Sequence, residues 1–323
     1  MGGKEFLHCK RLAKGAHDSL CILPATSLLR THDPPSCMNA STLGVAIITK
    51  NAARRLGECL QALSFADEIV IVDNGSADGT LDIARAHGAR VIEVSDWPGF
   101  GAQKNRALDA LGTHWILSID SDEVVSPELG AAISAAIARA EPRVYAVDRL
   151  SSFCGHWVHH SGWYPDWIPR LFPRGQARFS DDLVHERLVF DLPSERLDGK
   201  LLHYSYEDYE SVLRKLDDYS TAGARQRHAA GQRGSFGKAW ARGTWAFIRT
   251  YLLRRGFLDG QAGYMIAAFN AQTVYYRFLK LARLNGSDAG STKASANPAP
   301  GAHASGDPRK RATTDVSEDA KQP

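Results

Sequence analysis

The densest chemistry in the sequence is Ser118-Ile-Asp120-Ser-Asp122-Glu123, which closes the apolar stretch at 114–119. Two carboxylates at i and i+2 just beyond a strand can address one ligand if the chain turns there. Hard oxygen donors suit Mg²⁺ or Mn²⁺, which bridge a diphosphate and neutralise charge on a leaving group. The competing reading is a solvated acidic turn. A ligand site is favoured because the acids follow an apolar run and a further acid, Asp73, ends another, as strand-end sites require. The second signal is Asp73-Asn-Gly-Ser76-Ala-Asp78-Gly-Thr80. Asp73 can accept hydrogen bonds from a base or ribose, and Gly75 lets the backbone approach a ligand. Asp78 or Ser76 can cap the following helix, which leaves Asp73 unexplained by turn structure.

The elements that must hold these residues are legible as alternating patterns. Residues 43–49 are a continuous apolar run rich in β-branched side chains, as a buried parallel strand requires. Residues 54–63, 80–86 and 103–111 have helical spacing, and 68–72, 89–94 and 114–119 read as strands. This β-α-β-α-β-α-β order predicts an α/β fold with a doubly wound, mostly parallel sheet flanked by helices. Residues 144–204 read as short aromatic and turn-rich segments, and 207–282 as helices dense in arginine and aromatics. Residues 1–40 lack sustained periodicity. Either Met38 is the natural start or the stretch is a disordered arm, and both readings leave it outside the fold. From Asn285 onward small and polar residues dominate, which predicts a disordered tail. The expected divisions are therefore 1–40, a sheet domain at 41–206, a C-terminal helical region at 207–284, and a tail at 285–323.

Bulk properties narrow the function classes. A chain of 323 residues, 44% hydrophobic, can bury one large α/β domain with appendages or two small domains. Lys+Arg of 39 against Asp+Glu of 36 gives no whole-chain case for nucleic acid. Cys9, Cys21, Cys37, Cys59 and Cys154 are scattered and odd in number, which argues against a disulfide framework or zinc knuckle and for a reducing compartment. No apolar run of about 18 residues predicts a membrane-spanning helix. Asp18, Cys21 and Pro24 break the N-terminal apolar stretch, so a cytoplasmic protein is expected. Gly99-Phe-Gly101-Ala-Gln-Lys104 lacks the last glycine of a dinucleotide fingerprint, and the crowded histidines after Cys154 match no zinc spacing. Gly162-Trp163-Tyr164 reads as a sugar-stacking wall or as core packing. Trp240, Trp245, Phe247, Tyr251, Leu252, Leu253 and Phe257, interleaved with Arg242, Arg249, Arg254 and Arg255, fit an interfacial helix on anionic lipid or a plain cover for the sheet.

Taken together, Val45-Ala-Ile-Ile-Thr49-Lys-Asn51, Ile69-Val-Ile-Val-Asp73 with its turn, Gly101-Ala-Gln-Lys104-Asn105 and Asp120-Ser-Asp122 resemble glycosyltransferase family 2, whose members have the GT-A fold. Gly162-Trp-Tyr-Pro-Asp166, Arg170-Leu-Phe172, Val184-His-Glu186 and His203-Tyr-Ser-Tyr206 resemble its bacterial branch that glucosylates the lipopolysaccharide inner core. The resemblance implies a UDP-sugar donor, with Thr49, Asn51 and Asp73 at the nucleoside and Lys104 near the diphosphate. It implies Asp120 on the ribose or metal side and Asp122 as the principal ligand of Mg²⁺ or Mn²⁺. His203 either completes the metal shell or is an interior hydrogen-bonded histidine. Inversion needs a base that deprotonates the acceptor hydroxyl; the matching residue is Glu186, with Asp181 and Asp182 as rivals. The implied acceptor is an inner-core heptose of lipopolysaccharide, reached at the cytoplasmic face of the inner membrane. Other acceptors, a polyisoprenyl phosphate or a peptide, and a non-catalytic nucleotide-sugar binder are the alternatives. Intact Asp120, Asp122 and Glu186 speak against the last.

Overall fold

The computed structural model describes residues 41–180 and 186–294, the last eight as backbone only. The expectations for residues 1–40, for Asp181, Asp182 and His185, and for 295–323 lie outside the described residues. The chain opens with β1 (Leu43–Thr49), α1 (Ala53–Gln61), β2 (Glu68–Asp73), α2 (Thr80–Ala86), β3 (Arg90–Glu93), α3 (Phe100–Ala110) and β4 (Trp115–Ser118). β1 pairs in parallel with both β2 and β4, and β2 pairs in parallel with β3. Helices cover both faces of this half. Leu56 and Leu60 of α1 pack with Val45, Ile47 and Leu117 on one side, and Ala107 and Leu108 of α3 pack with Ala46, Val72 and Ile116 on the other. Each buried valine, leucine or isoleucine among them contributes about 2 kcal/mol. The result agrees with the doubly wound α/β reading of the sequence.

Beyond β4 come β5 (Glu123–Val125), α4 (Pro127–Arg139), β6 (Val144–Phe153), β7 (His156–Trp157), β8 (Trp167–Pro173), β9 (Ala177–Phe179), β10 (Leu188–Phe190) and β11 (Ser194–Tyr206). The main sheet runs β3-β2-β1-β4-β8-β6-β11-β5, with β7 on β6, while β9 and β10 form a separate antiparallel pair. β8 is antiparallel to both β4 and β6, and β6 is parallel to β11. The stretch that reads as short turn-rich segments therefore holds two of the longest strands. Asp148 and Arg149 interrupt the apolar pattern of β6. A buried strand tolerates them because both are paired: Asp148 with Tyr164 and Lys200, Arg149 with Asp166 and Glu123.

α4 starts where Ser126 Oγ accepts from Leu129 N at 3.3 Å, with proline at the first helical position. Such a cap stabilises by about 1 kcal/mol. The same oxygen accepts from Lys200 N at 3.2 Å, tying α4 to β11. Gly199, at φ 95°, is required at this crossing, since a Cβ there would lie 2.3 Å from Leu129 N. The described residues end in α5 (Tyr209–Ala229), α6 (Phe236–Ile248), a π-helical turn (Arg249–Leu253), a 3-10 turn (Gly256–Asp259) and α7 (Gly260–Ala294). They attach to the ends of β6 and β11 through Phe153, Tyr206, Leu216, Ile266 and Phe269. The compositional boundary at 284 falls inside α7, because a helix already nucleated propagates at one hydrogen bond per added residue even through a polar sequence.

Candidate active site

The carboxyl ends of β1 and β2 are fastened together by Asp73. Thr49 and Asp73 are in register, and Thr49 Oγ1 donates to Asp73 Oδ2 at 2.8 Å. Ser76 donates twice, from its N to Oδ1 at 2.8 Å and from its hydroxyl to Oδ2 at 2.5 Å. Asn51, in a left-handed conformation at φ 53°, donates its N to Ser76 Oγ at 2.8 Å and accepts from Ala77 N at 2.8 Å. Asp73 is fully buried, so both oxygens are committed to the two loops rather than turned to solvent. Asp78 accepts from Thr80 N at 3.1 Å and from Ala53 N at 3.2 Å, serving the first turns of both α2 and α1. The Thr80 hydroxyl and these amides hold its carboxyl below the usual range.

At the end of β4 a run of alternating charges crosses the interior. Lys104 Nζ lies 3.0 Å from Asp120 Oδ1 and 3.2 Å from Glu186 Oε1. Asp120 Oδ2 accepts from Arg170 Nη2 at 2.8 Å, and the same nitrogen reaches Glu123 Oε1 at 2.7 Å. Glu123 accepts from Asp120 N at 2.8 Å and lies 3.5 Å from Arg149 Nη1, whose guanidinium also grips Asp166. Burial by itself would raise the Asp120 carboxyl, but Arg170 and Lys104 outweigh it and hold it well below the usual carboxylate range. Burial would likewise lower Arg170, and Glu123 and Asp120 more than reverse that.

Local sequence explains how Lys104 reaches this network. Gly101 passes so close to Ser180 O that a Cβ would sit 2.0 Å from it. One turn later, the Asn105 side chain donates to Phe179 O and accepts from Phe179 N, both at 2.9 Å. α3 is thereby clamped to β9, and Lys104 is carried inward, 5.1 Å over the Phe179 ring.

Asp122 goes the other way. Glu123 N donates to Asp120 O at 3.0 Å, so 120–123 is a turn and the two aspartates do not share a direction. Asp122 faces a cleft of about 370 Å³ lined by Asn51, Arg54, Ser121, Tyr204 and Arg214. Its Oδ2 lies 3.5 Å from His203 Nε2, because β11 pairs with β5 at His203 and Glu123. His203 Nδ1 meets Ser151 Oγ at 2.9 Å, which orients the ring with Nε2 toward Asp122. The expected site residues thus fall into three groups: Thr49, Asn51 and Asp73; Lys104, Asp120 and Glu186; Asp122 and His203. Among the described residues no three acidic, histidine or cysteine side chains converge closely enough to hold an ion alone. A carboxylate and an oriented imidazole nevertheless suit a divalent ion that takes its remaining ligands from substrate phosphates and water.

Arg170, Glu123, Arg149 and Asp166 were missed by sequence reasoning as a unit. A signal existed: Arg170 sits inside Trp167-Ile-Pro-Arg-Leu-Phe172, and a charge in an apolar strand demands a buried partner. Trp163 is half-buried and packs against the Phe153–Tyr206 cluster, 6.0 Å from Phe153 and 5.7 Å from Tyr206 between ring centroids. Tyr164 turns its hydroxyl to Asp148 at 2.8 Å.

Residues 44–189 match the family model Glycosyl transferase family 2. The chain carries a glycosyltransferase family 2 domain. It is 29% identical over 251 residues to an uncharacterized glycosyltransferase of Rickettsia prowazekii, covering 74% of this chain and 85% of that one. It is 29% identical over 267 residues to the lipopolysaccharide core biosynthesis glycosyltransferase LpsC of Rhizobium meliloti, covering 76% and 97%. Among solved structures it is similar to glucosyl-3-phosphoglycerate synthase from Mycobacterium tuberculosis in complex with Mn²⁺ and UDP, at 25% identity and a TM-score of 0.30. That match covers 35% of this chain and 44% of the other, less than half of each. Of the site residues expected from sequence, all lie inside the matched stretch of this family 2 domain except His203, which β11 brings back from outside it.

Proposed function

We propose that this protein is an inverting, metal-assisted transferase that moves a hexose, glucose by its family resemblance, from a UDP-sugar to an inner-core heptose of lipopolysaccharide. The observation that carries the reading is the convergence of Asp120 and Glu186 on buried Lys104, at the carboxyl end of β4 and one turn from Asp122 and His203. The likeness to LpsC supports the acceptor class. In this reading Asp122 and His203 hold Mg²⁺ or Mn²⁺, which when bound offsets the charge of the departing UDP. Thr49, Asn51 and Asp73 form the nucleoside end, with Asp73 acting by fastening the two loops. Asp120 lies on the ribose or metal side and Lys104 meets the diphosphate. Glu186 takes the proton from the acceptor hydroxyl on the face opposite the leaving group, which gives inversion. UDP release measured over a panel of UDP-, GDP- and dTDP-sugars, with and without Mn²⁺, tests the donor. Release is expected from UDP-glucose in the presence of metal and heptose-containing core acceptor. Tight UDP binding with no turnover on any donor or acceptor would show a binder instead.

The proposed site of action is the inner-membrane surface. No helix among the described residues is long and apolar enough to cross a membrane. On the C-terminal helices, however, Trp240, Trp245, Leu252, Leu253, Phe257 and Leu258 are all exposed, beside exposed Arg249 and Arg255. Apolar side chains next to arginines fit an anionic lipid surface. Arg254 is unsuited to testing this because its side chain packs over Gly162. Arg249→Glu with Arg255→Glu is expected to weaken cosedimentation with anionic vesicles, each basic residue contributing on the order of 1 kcal/mol. Unchanged sedimentation of the folded variant would remove the membrane from this reading.

A further inference from the structure

Lys104 carries two acids with unequal support. Its side chain is 8% exposed, and its ammonium is shared between Asp120 and Glu186. Asp120 has a second cation, Arg170, at 2.8 Å. Glu186 has none among the described residues; Lys104 is the cation in contact with it. Along the run Glu186, Lys104, Asp120, Arg170, Glu123, Arg149, Asp166 the charges alternate, so Glu186 is a terminal acid held at one point.

This asymmetry has a consequence for any strongly anionic group that enters beside Asp120. A diphosphate carries more negative charge than a single carboxylate and competes for the ammonium through charge-assisted hydrogen bonds. If Lys104 turns to it, Asp120 keeps Arg170 and stays where it is, while Glu186 loses the one cation that touches it among the described residues. We propose that Lys104 is a positioning residue that exchanges partners: it holds Glu186 in the donor-free protein and releases it when a nucleoside diphosphate binds. The inference rests on the donor reading above and adds an order of events. The base becomes free only once the leaving group is in place, so the acceptor hydroxyl is engaged second.

The exchange is testable without knowing the acceptor. Full-length protein is treated with a water-soluble carbodiimide and glycinamide, and the labelled carboxylates are read by peptide mass spectrometry. UDP with Mn²⁺ is the probe, its binding to the same sample is followed by calorimetry, and exposed Asp82 of α2 serves as the internal standard. Glu186 is expected to label slowly in the free protein and several-fold faster with UDP and Mn²⁺. In Lys104→Met it should label fast in both conditions, and Lys104→Arg, which keeps the charge if the neutral variant fails to fold, should restore slow labelling of the free protein. Bound UDP with unchanged or slower Glu186 labelling overturns the exchange and leaves the donor reading standing. Absence of UDP binding by the folded wild type overturns the donor reading itself, and the exchange with it.

Discussion

Asp122→Ala is expected to lower transfer from a UDP-sugar by roughly a hundredfold or more, the effect of removing several kcal/mol of leaving-group stabilisation. The position makes the measurement clean. The Asp122 side chain is 42% exposed on the cleft, and its one ion-pair contact among the described residues is His203 at 3.5 Å. Truncating an exposed side chain with so little local support changes stability by only about 0.5 kcal/mol. The thermal midpoint should therefore hold while the rate falls. Asp120→Ala offers no such separation, since it strips a partner from both Lys104 and Arg170 in the interior, a change that costs about 3–5 kcal/mol. Undiminished transfer by wild-type protein in excess EDTA would sink the metal role of Asp122.

The first half of the fold was legible because burial on both faces leaves a plain imprint. β1 needs apolar residues at every position, and Leu43–Thr49 supplies them in one unbroken run. The strands β6 and β11 leave no such imprint. Asp148, Arg149 and Lys200 interrupt them, and each is neutralised by a residue far away in sequence that the sheet brings near, Lys200 reaching Asp148 from the adjacent β11 and Glu123 reaching Arg149 from β5, one strand further on. Periodicity reads local spacing and is blind to that compensation.

The same distinction runs through the site. That acids end β2 and β4 could be read directly, since each follows an apolar run. What each carboxylate faces could not. The i and i+2 spacing of Asp120 and Asp122 suggests a shared direction, yet the 120–123 turn sends one inward to Lys104 and Arg170 and the other into the cleft. Asp73 reads as a ligand group and is spent on holding two loops. Lys104 reads as a diphosphate contact; only the close approach at Gly101 and the Asn105 clamp on Phe179 turn it into a buried bridge.

Glu186→Gln should lower transfer by roughly 10² to 10⁴, the range for loss of a positioned base, while UDP binding survives. Glutamine keeps the length of the side chain and an oxygen that can accept from Lys104, so the contact now made at 3.2 Å has a neutral substitute. What the amide cannot do is take a proton from the acceptor hydroxyl. Asp120 remains paired to Lys104 and Arg170 in the variant, so the rest of the charge network stays intact. A fall in kcat with little change in UDP affinity is therefore the expected pattern. Asp181→Asn and Asp182→Asn, at positions outside the described residues, are the controls and should retain most activity. Near-normal transfer by Glu186→Gln together with collapse in either aspartate variant would move the base upstream. It would also reduce the Lys104–Glu186 contact to a structural ion pair beside the site, since the acid held by Lys104 would then not be the one that does the chemistry.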